Sequence, residues 1–256
     1  MTARPSHRRG FTLLEVLLTM GIGSILLFVA VTMLSQAGNG YDRGSGSVAA
    51  EREARAVLTQ MGEDFAKAEW HKDTILENDG EGWKRARLGF LSLQPDDAQS
   101  EDGRNGDLCA IHYYVKDIKV GNATVRCLMR GFRESGKVFP ALAKGTFSTL
   151  FDEQDIDEPV AFGVLSFSEE PLVRDESGKW QTWHQTAPTD GSTSASSSDH
   201  PQAVRLRLII ARRELLGKLS TTQDWDGSSL RGDPKQASNN PNLESYEVIQ
   251  RFGTND

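Results

Sequence analysis

The chain has 256 residues, 29 of them basic and 36 acidic, for a formal charge of −7. That balance, with both signs interspersed after residue 50, excludes a basic nucleic-acid-binding surface and reads as a solvated exterior. Two cysteines exclude a disulfide scaffold, and neither they nor the 5 histidines fall at zinc-ligand spacing.

The first element in chain order is apolar. From Phe11 to Leu34 the only charge is Glu15, and at a rise of 1.5 Å per residue this run spans roughly 36 Å, enough to cross a bilayer. Arg4, Arg8 and Arg9 precede it, so the positive-inside rule leaves the leader in the cytoplasm and sends the rest of the chain across. Three readings compete. A secretory signal peptide finds a small-x-small cleavage site at Ser35-Gln36-Ala37, but the apolar run exceeds the usual length. A plain single-pass anchor explains the length and leaves Glu15 unexplained, because a carboxylate at a helix centre costs about 2.5–3.5 kcal/mol and less near an end.

The third reading uses every unusual residue. Gly10-Phe11-Thr12-Leu13-Leu14-Glu15, after a short basic leader, resembles the processing site of type IV prepilins and type II secretion pseudopilins. The resemblance implies that a prepilin peptidase/methyltransferase cuts between Gly10 and Phe11 and methylates the new terminus. A glycine fits because a peptidase cleft must take the backbone closely. It also implies that Glu15 on one subunit meets the new α-amine of Phe11 on a neighbour. Either charge alone in the membrane is strongly unfavourable, so Glu15 and Phe11 become assembly residues.

Residues 36–48 hold Gly38, Gly40, Gly44 and Gly46, each worth about 0.8–1.0 kcal/mol against a helix relative to alanine. A break or loosened collar is expected there. From Ala49 to about Trp70 the helical period returns, with Ala54, Leu58, Met61, Phe65 and Ala68 on one stripe and Asp64 among the residues assigned to the polar sides. Strand patterns follow at 86–93, 108–115, 124–132, 159–168, 203–211 and 245–252, the second and third joined by a turn at Gly121-Asn122. One helix followed by runs of strands gives an α+β class: an amino-terminal transmembrane helix, then an amphipathic helix on a mainly antiparallel, pilin-like sheet. The hairpin register places Cys109 opposite about residue 134 rather than Cys127, which favours two buried thiols.

Residues 162–210 carry Gly163-Val164, Trp180, Trp183, Pro201 and an alternating strand from Val204 to Leu208. In this order they resemble the carboxy-terminal half of J-type minor pseudopilins, and residues 127–134 resemble that family's preceding strand. The resemblance implies a structural subunit of a periplasmic pseudopilus tip or initiation complex. Its partners would be the prepilin peptidase, the inner membrane and other minor pseudopilins engaged through the amino-terminal helix and the sheet domain, with no nucleic acid. A minor pilin of a type IV pilus is the near alternative; an exported domain or enzyme released after Ala37 is the distant one.

The division expected is a leader at 1–10, a membrane and assembly helix at 11–35, a linker at 36–48, a periplasmic domain at 49–221, and a polar tail at 222–256 with one last strand. No hydrolase, phosphate-loop or EF-hand pattern appears, and no enzymatic role or cofactor is expected. The acidic runs around 96–107 and 152–158 admit calcium only as the minority reading, since most acidic loops are simply solvated. Trp180 and Trp183 read as packing under a loop before they read as a binding surface. His112 reads as an ordinary strand histidine, satisfied or at the surface.

Overall fold

The computed structural model describes residues 12–72, 74–77, 86–94, 106–183 and 200–252. The chain divides into two compact units, Met1–Ser45 and Gly46–Asp256. Helix α1 runs from Leu13 to Ala66 without interruption, so the break expected at 36–48 does not occur. Once a helix is nucleated each further residue needs only propagation, and scattered glycines weaken that step without stopping it. The boundary between the two units nonetheless falls inside this glycine-rich stretch.

In the first unit, Leu13–Gly38 forms a 26-residue apolar span with mean hydropathy 2.3, none of it buried. Its few hydroxyls bond back to the helix itself: Thr19 donates to the Val16 carbonyl at 2.9 Å, Ser24 to Met20 at 2.8 Å and Thr32 to Phe28 at 3.0 Å. Self-satisfaction of this kind is what hydrocarbon requires of a polar side chain.

In the second unit, α1 lays Ala50, Ala54, Val57, Met61 and Phe65 into a common core. Of the expected stripe, Ala54, Met61, Phe65 and Ala68 are buried as read, while Val57 takes the place of Leu58, which lies at the margin. Two antiparallel sheets meet it. The first contains β1 (Ala68–Glu69), β2 (Ile75–Glu77), β3 (Arg87–Leu93), β4 (Leu108–Val120), β5 (Ala123–Arg133) and β6 (Glu158–Phe162), in the order β1-β3-β4-β5-β6 with β2 also on β3. The second contains β7 (Val164–Arg174), β8 (Trp180–Thr182), β9 (Ala203–Ala211) and β10 (Leu243–Arg251), in the order β10-β9-β7-β8. Leu88, Ile111, Tyr113 and Leu128 from the first sheet and Phe167, Leu206, Leu208 and Ile210 from the second share the core with α1. The result is a mixed α+β architecture consistent with a pilin-like fold.

The strand expected at 159–168 is in fact two strands in different sheets. Gly163 separates them at φ +72, a left-handed conformation that breaks the pleat and favours glycine. The hairpin β4–β5 turns tightly, with Val120 opposite Ala123. Cys127 then faces Lys116, and Cys109 lies one position past the pair Ala110–Arg133, so the register prediction holds and neither buried cysteine forms a disulfide. Burial, with Glu53 and Asp117 adding to it, pushes the Cys127 thiol up to about 12.

The outer faces are covered by elements the sequence pattern concealed. Helix α2 (Ser135–Lys144) and the 3-10 turn Phe147–Phe151 pack Val138, Ala141, Phe147, Leu150 and Phe151 against Leu91 and Ala110. The segment from 222 onward is not a polar tail. Helices α3 (Arg213–Leu216) and α4 (Thr222–Asp226), followed by α5 (Ser228–Arg231), and the turn between the first two bring Leu215, Leu219 and a fully buried Trp225 against Leu165, Ile209 and Leu243. Helix α4 starts in a capping box between Thr221 and Asp224, and β10 closes the second sheet where the last strand was expected.

Candidate functional site

Gly10 and Phe11 lie outside the described residues; Thr12 and Glu15 lie within them. Thr12 caps α1: its hydroxyl accepts the Glu15 N–H at 3.3 Å, and its carbonyl accepts from Val16 at 3.2 Å. Thr12-x-x-Glu15 has the spacing of a capping box, and an acid in the first turn also complements the helix dipole. The rest of the span is apolar and outward-facing, with Leu13 82 % and Phe28 70 % exposed. A helix that is apolar on all sides is a membrane or partner-facing element rather than a surface one. Glu15 is the one charge on it among the described residues, so in hydrocarbon its carboxylate needs a cation that this helix does not supply.

Within the sheet domain, most of the buried charges among the described residues fall into three clusters. In the first, Asp64 on α1 receives Arg130 Nε and Nη2 at 2.9 Å each, the Tyr113 hydroxyl at 2.5 Å and Gln94 Nε2 at 3.2 Å. Ser92 donates to the Asp64 carbonyl at 3.1 Å, and Lys67 reaches Gln94 at 3.1 Å. Burial and the adjacent Asp64 carboxylate hold the Tyr113 phenol well above its usual range, so it stays a donor. For Arg130, burial pulls the other way but the Asp64 hydrogen bonds and charge prevail and keep it protonated.

The second cluster lies beside the 3-10 turn Phe147–Phe151, with His112 edge-on to Phe151 and Arg133 donating to the Asp152 carbonyl. Arg133 Nη1 meets Asp157 Oδ1 at 2.6 Å, Tyr114 donates to Oδ2 at 2.9 Å, and the Gln154 N–H donates to the same oxygen at 2.9 Å. Burial opposes ionisation of Asp157, yet these donors outweigh it and its carboxyl sits below the usual range. His112 is 2 % exposed, stacks on Tyr114 at 5.2 Å, and holds Nε2 3.4 Å from Asp157 Oδ2. Burial lowers its pKa to about 4 against the opposing pull of Asp157, so it is neutral at neutral pH. His112 is therefore not a surface histidine. Among the described residues, this His–Asp–Tyr group is buried and its polar atoms face one another.

In the third, Arg126 joins Asp117 at 2.6 Å and Asp226 at 2.8 Å, while Trp225 Nε1 donates to the Thr124 carbonyl at 2.8 Å. This cluster pins the carboxy-terminal helices to the β4–β5 hairpin.

The motif residues divide by role. Val164 and Val204 are core residues, and Pro201 is buried just before β9. At Gly163 a Cβ would stand 2.7 Å from Leu216 Cδ2. Trp183 is buried edge-on to Trp70 at 5.9 Å, as packing predicts, and Trp70 in turn meets Phe252 at 5.6 Å. Trp180 is half-buried, with the Arg174 guanidinium over its ring at 4.7 Å and that of Arg251 at 5.6 Å. Of the acidic run at 152–158, Asp157 is turned inward and Glu153 reaches Lys116 at 3.3 Å. Among the described residues no group of three or more metal-ligating side chains converges; Asp96, Asp97, Glu101 and Asp102 lie outside them.

Compared with known proteins, residues 5–31 match the family described as the prokaryotic N-terminal methylation motif. That stretch contains Gly10, Phe11, Thr12 and Glu15. No curated protein matches the chain, and no solved structure does. The motif implies processing by a prepilin peptidase and assembly with other pilin-like subunits, and with the single apolar helix it implies single-pass anchoring. Missed in the sequence were the three charged clusters, whose members are scattered along the chain, and the Thr12 cap, whose Thr-x-x-Glu spacing was there to be read.

Proposed function

We propose that this type IV pilin-like chain is a minor pseudopilin of J type, a structural subunit at the tip or initiation complex of a type II secretion pseudopilus, with its sheet domain in the periplasm. The observation that carries the reading is the conjunction at its amino terminus. The methylation motif runs directly into a wholly exposed apolar helix whose one charge, Glu15, stands in the first turn. After a cut between Gly10 and Phe11, the methylated amine of Phe11 and the Glu15 carboxylate of a neighbour neutralise one another inside the membrane. The J-type assignment rests on Gly163-Val164, Trp180, Trp183 and Pro201-x-x-Val204 in that order. Burial of Val164, Trp183, Pro201 and Val204 and the glycine-specific conformation of Gly163 support these as structural positions. No catalytic role is assigned.

The amino terminus of the mature protein tests this. Mass spectrometry identifying a methylated Phe11 supports the reading, and a mature chain beginning at Gly38 replaces it with an exported soluble domain. Deletion of the gene then separates the two machines: loss of extracellular enzyme release supports secretion, whereas loss of surface fibres with secretion intact assigns a type IV pilus.

A further inference from the structure

Residues 134–157 leave the first sheet at the end of β5 and rejoin it at the start of β6, forming a strap over its outer face. Helix α2 and the 3-10 turn Phe147–Phe151 rest on Leu91 and Ala110, in a hydrophobic cluster separate from the one around α1. β5 and β6 pair directly, from Arg130–Glu158 to Cys127–Phe162, so the strap can lift without undoing a rung between them. A clasp closes its base. Arg133, the last residue of β5, meets Asp157, just before β6, at 2.6 Å, with the side chains 1 % and 0 % exposed. Arginines also hold the returning arm: Arg133 Nη2 donates to the Asp152 carbonyl at 2.9 Å, and Arg87 Nη2 to the Phe151 carbonyl at 2.9 Å.

His112 sits beneath this arm, in a row of paired residues Gly89–His112–Gly131. The two glycines make its seat. A Cβ at Gly131 would stand 1.9 Å from His112 Cε1, and one at Gly89 would stand 2.7 Å from the Phe151 ring that lies edge-on to the histidine. Neither ring nitrogen of His112 makes a hydrogen bond, and the hollow beside it, lined by Ile75, Arg87, Gly89 and Phe151, has no room for a water molecule. The groups that face the ring are Asp157 on the returning arm, Arg133 on β5, Arg87 on β3 and Tyr114 next to it on β4. Glu153 is farther out, 3.3 Å from Lys116.

A proton on His112 therefore adds a cation to a site where one carboxylate already serves Arg133. Asp157 Oδ2 accepts from Tyr114 and from the Gln154 N–H, Oδ1 accepts from Arg133, and an Nδ1–H on the ring finds no acceptor. Relief has to come from one side. β4 is paired on both of its edges and cannot yield, whereas the strap is held by the very groups that the new charge disturbs.

We propose that residues 134–157 form an acid-released latch: neutral His112 lets Arg133 and Asp157 close the strap on the sheet, and protonated His112 lifts it. Release bares Leu91 and Ala110 on the sheet and Val138, Phe147 and Phe151 on the strap, while the core around α1 stays closed. The device turns acid in the surrounding medium into exposed apolar surface at one place on the domain.

The test uses the full-length chain in detergent micelles and reads amide exchange, corrected for the intrinsic effect of pH. The reporters are α2 and Thr146, whose N–H donates to the Ala141 carbonyl, against the amides of β4 and β5. Burial holds His112 at about 4 in the closed state, and release returns it to its ordinary 6.5, so strap opening is expected to rise about 25-fold from pH 7.5 to pH 5. Strap amides are expected to exchange faster than strand amides at both values, and dilute urea to speed only the strand amides, because lifting the strap uncovers little surface. His112→Gln is expected to abolish the pH dependence. His71→Gln, at a half-buried ring 4.8 Å from Phe147, is expected to keep it. Strap protection that does not change with pH, or strap and strand amides exchanging together at one rate, overturns the inference from the parent chain alone. A pH dependence that survives His112→Gln, or is lost in His71→Gln, overturns it as well. None of these readouts depends on the processing or anchoring of the amino terminus.

Discussion

Asp64 on α1 and Arg130 on β5 are joined by two hydrogen bonds of 2.9 Å, side by side. The carboxylate is 5 % exposed and the guanidinium 18 %, so the pair is shielded from water while Tyr113, Gln94 and Ser92 occupy the remaining lone pairs and the local carbonyl. The geometry is the bidentate one that makes an arginine–carboxylate pair directional as well as attractive. It joins the last turns of the helix to the middle of the first sheet.

Asp64→Ala leaves a shielded guanidinium and a buried phenol without their acceptor, and the expected loss is about 3 kcal/mol, the lower end for breaking a buried pair because Arg130 retains some water. Replacing both partners, as Asp64→Leu/Arg130→Met, is expected to recover most of it, since no uncompensated charge remains. Urea midpoints of the three variants check this. A double variant as unstable as the single one would show that the pair is not the source of the loss.

Stability is expected to fall on acidification in two separate windows. His112 titrates near 6.5 in an unfolded chain and at about 4 in the fold, where burial and the cations Arg133 and Arg87 outweigh Asp157. Between those values the unfolded chain binds a proton that the native one does not. The native state is therefore at full strength above about pH 6.5 and loses up to about 3 kcal/mol by pH 4. Asp157 has the depressed value of a paired carboxylate, so its contribution is present above the ordinary carboxylate range and disappears only below it. His112→Gln is expected to flatten the melting temperature between pH 6.5 and 4 and leave the steeper fall below pH 4. Parallel curves for variant and parent would assign the first window to another group.

What the sequence made legible is the part governed by local pattern. The apolar run, the helical stripe and the strands needed only periodicity and charge, and the hairpin register alone kept the two cysteines apart. What escaped depends on partners far along the chain. Asp64 sits among charges on the helix and reads as solvated, yet a tyrosine and an arginine from two strands bury it. Trp225 lies in a polar, turn-rich stretch and is buried because Arg126 and Thr124 are waiting for it. Pro140 disguised α2, although the helix tolerates it and ends at Gly145 in a left-handed cap. The glycines after Gln36 argued for a break, and weak propensity lost to the continuity of a 54-residue helix.

Gly163 is where the chain passes from one sheet to the other, and two independent constraints hold it as glycine. Its φ of +72 costs an L-residue about 1–2 kcal/mol, and an added Cβ meets Leu216 Cδ2 at 2.7 Å. Gly163→Ala is expected to lose about 2 kcal/mol in total. Combining it with Leu216→Ala removes the contact and keeps the backbone part, so the double variant is expected to be more stable than the sum of the singles predicts. Simple additivity in thermal unfolding would mean that Leu216 already moves aside and only the backbone matters.

Glu15 has two physical roles, and substitutions can part them. An acid in the first turn favours the helix dipole by about 0.3–1 kcal/mol, and Thr12 supports the same turn by accepting the Glu15 N–H. Pairing with a neighbour's amine is a property of the carboxylate alone. Glu15→Val is expected to leave cleavage after Gly10 largely intact and to abolish co-purification with partner pilin-like subunits, while Thr12→Val, which loses the cap and keeps the charge, assembles nearly normally. The checks are the mass of the processed chain and the yield of cross-linked partners from membranes. Equal assembly defects in both variants would make Glu15 a helix-capping residue, and normal assembly of Glu15→Val would remove its role altogether.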